Sequence, residues 1–193
     1  MKILVCISHV PDTTSKINFT NNNTEFDSNG ITYVINPYDE FGLTRAMVIK
    51  ETTGATVTVI NVGPASTETT LRKALAIGAD NAVRINAEPT DANYVARLLA
   101  NYAKDENFDL IITGRESIDF NGGIVPGMLA TYLDMPFVNA CLGLELNGNQ
   151  ATVIREIDGG KERLQGNLPM LIAGQKGLVE EKDLRIPAMR GIM

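Results

Sequence analysis

The chain has 193 residues, of which 44% are hydrophobic, 21% charged and 6% aromatic, and its formal net charge at pH 7 is −6. These totals are typical of a globular chain of one domain, and they exclude a disordered or fibrous protein. The acidic balance and the lack of any run of Lys and Arg exclude sequence-independent attraction to nucleic acid or anionic lipid, so we expect no nucleic-acid partner.

The cysteines and the longest apolar runs indicate the compartment. Cys6 and Cys141 stand far apart in apolar contexts, which supports neither a metal site nor a disulfide framework. No apolar run approaches the ~20 residues of a membrane helix, and the N-terminus shows no signal-peptide pattern. We therefore expect a cytoplasmic protein without a bound metal and without membrane insertion.

Apolar, β-rich runs alternate with helical patterns as far as Pro136. Strands are predicted at residues 2–8, 56–62, 82–85 and 110–113, and helices at residues 39–52, 66–77, 91–104 and 127–133. Gly54 and Gly78 mark two helix ends. This alternation predicts a mostly parallel, doubly wound sheet that is covered by helices on both faces, a Rossmann-related α/β fold.

Two local patterns refine this prediction. Ser66 is the expected N-cap of the second helix, with Glu68 in its first turn and four apolar side chains facing inward: Leu71, Ala74, Leu75 and Ile77. The segment 20–30 is rich in Asn, Asp and Gly, and short strands at residues 17–19 and 31–35 flank it. We expect an exposed hairpin there.

The pattern changes after Pro136. Strands are predicted at residues 137–146, 150–157, 163–168 and 170–173, separated by Asn-Gly and Asp-Gly-Gly turns. We interpret them as a C-terminal antiparallel appendage to the parallel sheet. The whole chain, residues 1–193, is then expected to form one domain.

Four loops are expected to line one cleft. In an open parallel sheet, ligands bind beyond the carboxyl ends of the strands, where helix N-termini present amide donors. The loops are residues 8–12, 36–40, 62–66 and 114–123. The last of them carries more polar side chains than a connection requires, namely Arg115, Glu116, Ser117, Asp119 and Asn121, which favours a binding role. The turn at residues 62–66 is equally compatible with an ordinary strand-to-helix connection.

Few residues are candidates for acid-base or nucleophilic catalysis. His9 is the single histidine, and its pattern fits a surface or capping residue better than a phosphate ligand. Asp119 and Glu116 resemble a carboxylate pair, but turn capping explains them at least as well. No G-x-S-x-G, Walker A or G-x-G-x-x-G motif occurs. We therefore expect a binding protein and not an enzyme.

Several segments resemble one protein family. The stretch V-I-R-E-I-D-G-G-K-E-R-L-Q-G-N-L-P-M-L-I-A at residues 153–173 is similar to the signature of electron-transfer flavoprotein β subunits. The segments I-L-V-C-I-S-H-V-P-D, I-N-P-Y-D-E, R-K-A-L-A-I-G-A-D and G-R-E-S-I-D resemble the same family in the same order. The resemblance covers nearly the whole chain.

The resemblance implies a fold of the adenine-nucleotide α-hydrolase-like type and a heterodimer with an α subunit. It further implies an FAD held mainly by that partner, single-electron transfer from flavin dehydrogenases to an acceptor, and, in many members, AMP within the β subunit. The residues that match the family's nucleotide-lining positions are Cys6, Asn36, Pro37, Tyr38, Asp39, Val62, Gly114, Arg115, Ser117, Asp119, Gly122, Gly123, Ile124 and Val125. Tyr38 matches an aromatic that faces the flavin, and Met189 matches an exposed leucine that docks redox partners.

Two departures from the family pattern are visible. Gly123, Ile124 and Val125 replace the Asn-Gln-Thr of many AMP-binding members, which removes side-chain donors for a phosphate and leaves AMP occupancy open. Family members usually continue past Met193 into an arm that embraces the α subunit, and we expect that arm to be absent. The alternatives are an autonomous AMP- or ATP-binding module without redox activity and, less well supported, a nucleotide hydrolase or transferase.

Overall fold

One eight-stranded sheet organises the fold in a computed structural model that describes residues 1–188. In chain order the strands are β1 (Lys2–Cys6), β2 (His9–Pro11), β3 (Phe19–Thr20), β4 (Glu25–Phe26), β5 (Tyr33–Ile35), β6 (Thr56–Val62), β7 (Asn81–Ile85), β8 (Leu110–Gly114), β9 (Phe137–Asn147), β10 (Gln150–Ile157), β11 (Gly160–Asn167) and β12 (Met170–Gly174). The helices are α1 (Pro37–Thr53), α2 (Glu68–Ile77), α3 (Ala92–Ala103) and α4 (Val125–Tyr132). Two 3-10 turns span Ala65–Thr67 and Glu181–Asp183.

The sheet is mainly parallel. Its strand order is β11-β10-β9-β12-β8-β1-β6-β7, and every pairing from β9 to β7 is parallel. Only the pairs β9–β10 and β10–β11 are antiparallel within this sheet. The predicted α/β class with a mostly parallel sheet is therefore confirmed.

Helices cover both faces of the sheet. Alternate strand residues such as Ile3 and Val5 face α1 and α2, whereas Leu4 and Ile111 face α3 and α4. All five residues of β8 are buried, as expected for a central parallel strand with a continuous apolar run. The buried apolar residues therefore form two core clusters, one between the sheet and α1 and α2 and the other between the sheet and α3 and α4.

The prediction of a separate antiparallel appendage is wrong for its last strand. β12 lies between β8 and β9 and runs parallel to both, and all five of its residues are buried. Its uninterrupted Met-Leu-Ile-Ala-Gly run suits burial on both faces. Turn signals indicate which segments follow each other along the chain, but they do not indicate that a late strand inserts into the middle of the sheet.

The N-terminal excursion also pairs differently from the prediction. β3 pairs with β4, whereas β5 pairs with β2, so the two predicted flanking strands do not form one hairpin. Asn21, Asn22 and Asn23 have φ angles of 48°, 56° and 66°, which produce a tight turn within the excursion itself. Residues 20–26 are exposed as predicted.

Local signals explain most helix ends. Pro37 occupies the first turn of α1, which places its start two residues before the predicted one, and Gly54 ends it with φ 71° and an N–H donated to the Lys50 carbonyl at 2.8 Å. The Asp91 side chain caps α3 by accepting from Tyr94 N at 2.8 Å.

The start of α2 contradicts the prediction of Ser66 as its N-cap. Ser66 lies in the 3-10 turn, which the Thr67 N–H closes onto the Pro64 carbonyl at 3.1 Å, and the helix begins only at Glu68. Leu71 and Ala74 are buried as expected. Leu75 is 38% exposed, because it points about 100° away from the buried Ala74 and so lies at the edge of the apolar face.

The buried carboxyl group of Asp39 ties three elements together. One oxygen accepts from Ser8 N at 2.7 Å, just after β1, and the other accepts from Gly114 N at 2.8 Å, at the end of β8. Burial raises the pKa of Asp39 from 3.8 to about 7, although these N–H donors act in the opposite direction. Asp39 thus fixes the first turn of α1 against the carboxyl ends of two neighbouring strands.

Close packing of α1 on β8 gives a first prediction. A Cβ atom at Gly42 would lie 2.8 Å from Ile112 Cγ2, whereas at Gly127 of α4 the nearest atom, Phe137 Cε1, would be 3.6 Å away. We expect Gly42→Ala to lower the free energy of unfolding by about 1–3 kcal/mol through overpacking. The matched helical change Gly127→Ala should be neutral or stabilising, because alanine has the higher helix propensity. Urea unfolding of both variants measures this, and equal effects contradict it.

The pKa of Asp39 gives a second prediction. Between pH 4 and 7 the folded state binds the Asp39 proton more strongly than the unfolded state, so this group's contribution to the free energy of unfolding falls as the pH rises. Asp39→Asn replaces one acceptor oxygen by a donor, which should cost about 1–3 kcal/mol at pH 5.

The gap, that is the difference in the free energy of unfolding between wild type and Asp39→Asn, should be smaller at pH 8 than at pH 5, because only the wild type loses the Asp39 contribution. Urea unfolding at both pH values measures the gap. Asp134→Asn, at an exposed position, is the control and should show the same difference from wild type at both values. A gap for Asp39→Asn that widens with pH is the contrary result.

Candidate functional site

A cavity of about 700 Å³ lies beyond the carboxyl ends of β1, β6, β7 and β8. This volume falls within the roughly 300–1,000 Å³ that is usual for small-molecule and cofactor sites. All four predicted loops contribute to its lining, through Ser8, Asp39, Val62 and Gly114 among others. The topological rule that ligands bind at the carboxyl edge of a parallel sheet thus correctly locates this cavity.

One part of the cavity is an apolar slot between the sheet, α3 and α4. Its lining combines strand residues with helix residues: Cys6, Ile60, Val62, Val95, Leu99, Val125 and Pro126. Burial, with a smaller effect of Asp39, raises the pKa of the Cys6 thiol, so that Cys6 is a neutral, weakly polar group in this wall. The slot therefore suits a flat apolar group.

The rest of the lining is more polar, and its charged side chains are acidic. Among residues 1–188 it contains five carboxyl side chains and no Lys or Arg; the carboxyl groups belong to Asp39, Glu88, Asp91, Glu116 and Asp119. A phosphate in this cavity would therefore be met by backbone amides and not by cationic side chains. The first turn of α4, which has no side-chain cap, begins two residues after Gly123 and also contributes to the lining.

Asn36 holds the long loop at residues 114–124 in place. It is fully buried, its Nδ2 donates to the Glu116 carbonyl at 2.9 Å, and its Oδ1 accepts from Ile118 N at 3.1 Å. Within the loop, Asn121 N donates to the Ser117 carbonyl at 2.8 Å. The loop is therefore fixed by internal hydrogen bonds.

His9 is part of the cavity wall. Its ring stacks on Tyr33 at 4.2 Å between centroids, and its Nδ1 lies 2.7 Å from Thr70 Oγ1. Burial lowers the pKa of His9, with Lys73 acting in the same direction and Asp119 against it. The imidazole is thus held in a fixed orientation, with its neutral form favoured at neutral pH.

Ten of the fourteen predicted cofactor-binding residues line the cavity: Cys6, Asp39, Val62, Gly114, Ser117, Asp119, Gly122, Gly123, Ile124 and Val125. Asn36, Pro37, Tyr38 and Arg115 are not part of its lining. Asn36 forms hydrogen bonds to the loop at residues 114–124 without contributing to the cavity surface. The Arg115 guanidinium carbon lies 5.7 Å from the centroid of the Tyr38 ring. The binding roles of all fourteen stay predictions, and Met189, the predicted docking residue, lies outside the described residues.

The sequence analysis missed the loop that follows β7. Glu88, Thr90 and Asp91 line the cavity, as do Val95 and Leu99 of the helix behind them. The sequence did contain a signal for this loop, because the loop follows the carboxyl end of the strand predicted at residues 82–85. Applying the same rule to all strands would have included it.

Clusters of metal-binding side chains and helices that could span a membrane are both absent from residues 1–188. No group of three or more His, Cys, Asp or Glu side chains in this part of the chain is placed to hold a metal ion. No helix of the same residues is long and apolar enough to span a membrane.

Comparisons with known proteins agree on one family. The family model described as the electron transfer flavoprotein domain matches residues 24–190. The electron transfer flavoprotein subunit beta of Bacillus subtilis (strain 168) is 38% identical over 197 residues, which cover 100% of this chain and 75% of that protein. The subunit beta of Syntrophomonas wolfei is 35% identical over 196 residues, with coverage of 100% and 75%.

The human electron transfer flavoprotein subunit beta is 32% identical over 193 residues, which cover 97% of this chain and 76% of that protein. The Bacillus subtilis and Syntrophomonas wolfei matches cover the whole chain and with it the strands, helices and loops that form the cavity. The resemblance stated for the signature at residues 153–173 is thereby confirmed. This chain belongs to the family of electron transfer flavoprotein β subunits.

Proposed function

We propose that this subunit pairs with an α subunit, shares an FAD with it, and takes part in passing single electrons from flavin dehydrogenases to an acceptor in the cytoplasm. Family membership supports the electron-transfer role. The observation that carries the ligand proposal is the cavity of about 700 Å³ at the carboxyl edge of the sheet, with its apolar slot. When bound, a flavin supplies the one-electron chemistry, and the protein supplies binding and orientation.

The cavity fits the adenosine part of a nucleotide well. The slot between Val62, Leu99 and Val125 is apolar and suits a base. Gly122 and Gly123 lead to the uncapped N-terminus of α4, where the backbone N–H groups that precede Pro126, which has none, would hold one phosphate. The acidic lining opposes further negative charge, which favours AMP or the adenine end of a dinucleotide over a triphosphate.

Tyr38 and Arg115 do not line the cavity, and we assign them a role at a different surface of the subunit. The Arg115 side chain is 40% exposed, donates to Gln175 Oε1 at 3.0 Å and lies beside the Tyr38 ring. We assign this pair to the surface that meets the flavin held by the α subunit. Met189 is assigned to docking of dehydrogenases on the basis of its sequence position alone.

A second candidate function is an autonomous adenine-nucleotide-binding module without redox activity. It is favoured by one observation, namely that a single chain supplies the whole apolar slot, from β1 and β6 to α3 and α4. Such a module binds AMP or ATP alone and needs no flavin. The two candidates differ in what the chain retains when it is purified alone and with an α subunit.

A third prediction separates these candidates. We expect the chain alone to elute colourless from gel filtration, because a flavin site shared between two subunits loses many contacts when one subunit is absent, and each 1.4 kcal/mol lost costs about tenfold in affinity. Co-expressed with an α subunit, it should co-elute as a yellow heterodimer. Absorbance from 350 to 500 nm measures the flavin, with the α subunit alone as control. Stoichiometric FAD on the lone chain, or no complex with α, contradicts the proposal.

A fourth prediction concerns the acidic lining. Asp119 is exposed at the cavity, and Asp119→Asn retains the size and hydrogen-bonding oxygen of the side chain while removing its charge. At low ionic strength we expect AMP to bind about threefold more tightly to the variant, because repulsion of its phosphate is relieved, and salt should abolish the difference.

Isothermal titration calorimetry with AMP and adenosine measures both affinities. Adenosine carries no charge and should bind equally to wild type and Asp119→Asn, and the exposed Asp134→Asn is the protein control. Equal AMP affinity at low salt would show that the acidic lining plays no part in ligand choice. No binding of either compound to any variant would remove the nucleotide site itself from the proposal.

A further inference from the structure

Unpartnered buried polar atoms are concentrated at the cavity. Among residues 1–188, three buried side-chain polar atoms have no hydrogen-bond partner: Arg45 Nε, Asn61 Oδ1 and Thr113 Oγ1. Asn61 and Thr113 both line the cavity, and each is only 4% exposed. Buried polar groups in native proteins are nearly always hydrogen-bonded, so two exceptions in the lining of one cavity indicate groups that bind a ligand.

Thr113 lies on the side of the sheet that forms the apolar slot. Along β8, Leu110 and Ile112 face α1 and α2, and Ile111 faces α3 and α4. Because side chains alternate along a strand, Thr113 falls on the same side as Ile111. The slot side chains of Leu99 and Val125 lie on that side too. A hydroxyl group therefore stands in a wall that is otherwise apolar.

We propose that Thr113 is a specificity-determining residue of this cavity, whose hydroxyl donates a hydrogen bond to a ring nitrogen of the bound purine base. The inference rests on the proposed nucleotide site and assigns the base its polar contact. A threonine hydroxyl carries one donor and two acceptor lone pairs, and rotation about the Cα–Cβ bond exchanges its hydroxyl and methyl groups within the strand. An aromatic base with a ring nitrogen fits this combination of an apolar slot and one hydroxyl.

The other two unpartnered atoms lie outside the apolar slot, because Asn61 alternates with Ile60 and Val62, which face α3 and α4, and Arg45 packs on the opposite face of the sheet. Asn61 Nδ2 donates to the Ile7 carbonyl at 2.9 Å, which fixes the amide and leaves Oδ1 as a free acceptor in the cavity wall. Arg45 lies between α1 and β9, where its Nη2 donates to the Leu144 carbonyl, and it does not line the cavity. The unpartnered atom outside the cavity thus belongs to a guanidinium that is bonded through another nitrogen.

The test uses Thr113→Val, which removes the hydroxyl but keeps the shape of the side chain. We expect adenosine and AMP to bind about tenfold more weakly, whereas the free protein should melt at the same or a higher temperature, because a buried group without a partner has been removed. A purely structural threonine gives the opposite pattern, with lower stability and unchanged affinity. Thr113→Ser keeps the hydroxyl and should restore most of the affinity.

Thr58→Val is the matched control, since Thr58 is also buried in the sheet but does not line the cavity. It should leave adenosine affinity unchanged. Binding of 1-deaza-, 3-deaza- and 7-deazaadenosine then identifies the bonded nitrogen. One of these analogues should bind more weakly than adenosine to the wild type and equally well to Thr113→Val.

The outcomes separate this inference from the proposed function. If wild type binds adenosine and Thr113→Val binds it equally well, the Thr113 assignment is wrong and the nucleotide site stands. If all three deaza analogues bind the wild type as tightly as adenosine does, the proposed hydrogen bond to a ring nitrogen is wrong. If wild type binds neither adenosine nor AMP at millimolar concentration, both the nucleotide site and the role of Thr113 are overturned.

Discussion

The site depends on one buried carboxyl group, that of Asp39. Its two oxygens accept from Ser8 N and Gly114 N, so a single side chain from α1 holds together the segments that leave β1 and β8. Without these two acceptors, two backbone N–H groups at the carboxyl edge of the sheet would lose their partners. Asn36, three residues earlier, fixes the loop that follows Gly114 in a similar way. Two polar residues at the start of one helix therefore hold the segments that follow β1 and β8 in place at the cavity.

The electrostatic character of the cavity follows from the same arrangement. Asp39 is buried, has no cationic partner among residues 1–188 and accepts from backbone donors, and its pKa of about 7 reflects the cost of burying the charged form. The other four carboxyl groups of the lining come from loops, and no Lys or Arg among residues 1–188 lines the cavity. A ligand in such a cavity would be held mainly by the apolar slot and by backbone amides, which would limit the charge that it can carry.

The sequence predicted those features that depend on local patterns. The apolar run of β8, the glycine end of α1 and the edge of the sheet where loops meet were all correctly located, because each depends on neighbouring residues or on a general topological rule. The motifs also identified the family over most of the chain.

What the sequence did not predict depends on contacts between distant segments. Tyr38 and Asp39 are neighbours in one motif, but successive residues on a helix point about 100° apart, so that only Asp39 reaches the cavity. Asn36 matched a nucleotide-lining position, yet both its amide nitrogen and its amide oxygen form hydrogen bonds with the backbone of residues 116 and 118, some 80 positions away. The unpartnered Thr113 hydroxyl became visible only when the packing around it was known.

The position of β12 has a consequence for how the chain is synthesised and folds. β8 needs a neighbour on each side, and one of them is made about 60 residues later, after the ribbon of β9, β10 and β11. Until β12 emerges from the ribosome, the apolar edge of β8 offers unpaired N–H and C=O groups to any other strand. Pairing across such a sequence separation is slow, and exposed strand edges promote aggregation. The pairing of β8 with β12 is therefore expected to be among the last contacts of the sheet to form, and β8 keeps an unpaired edge until then.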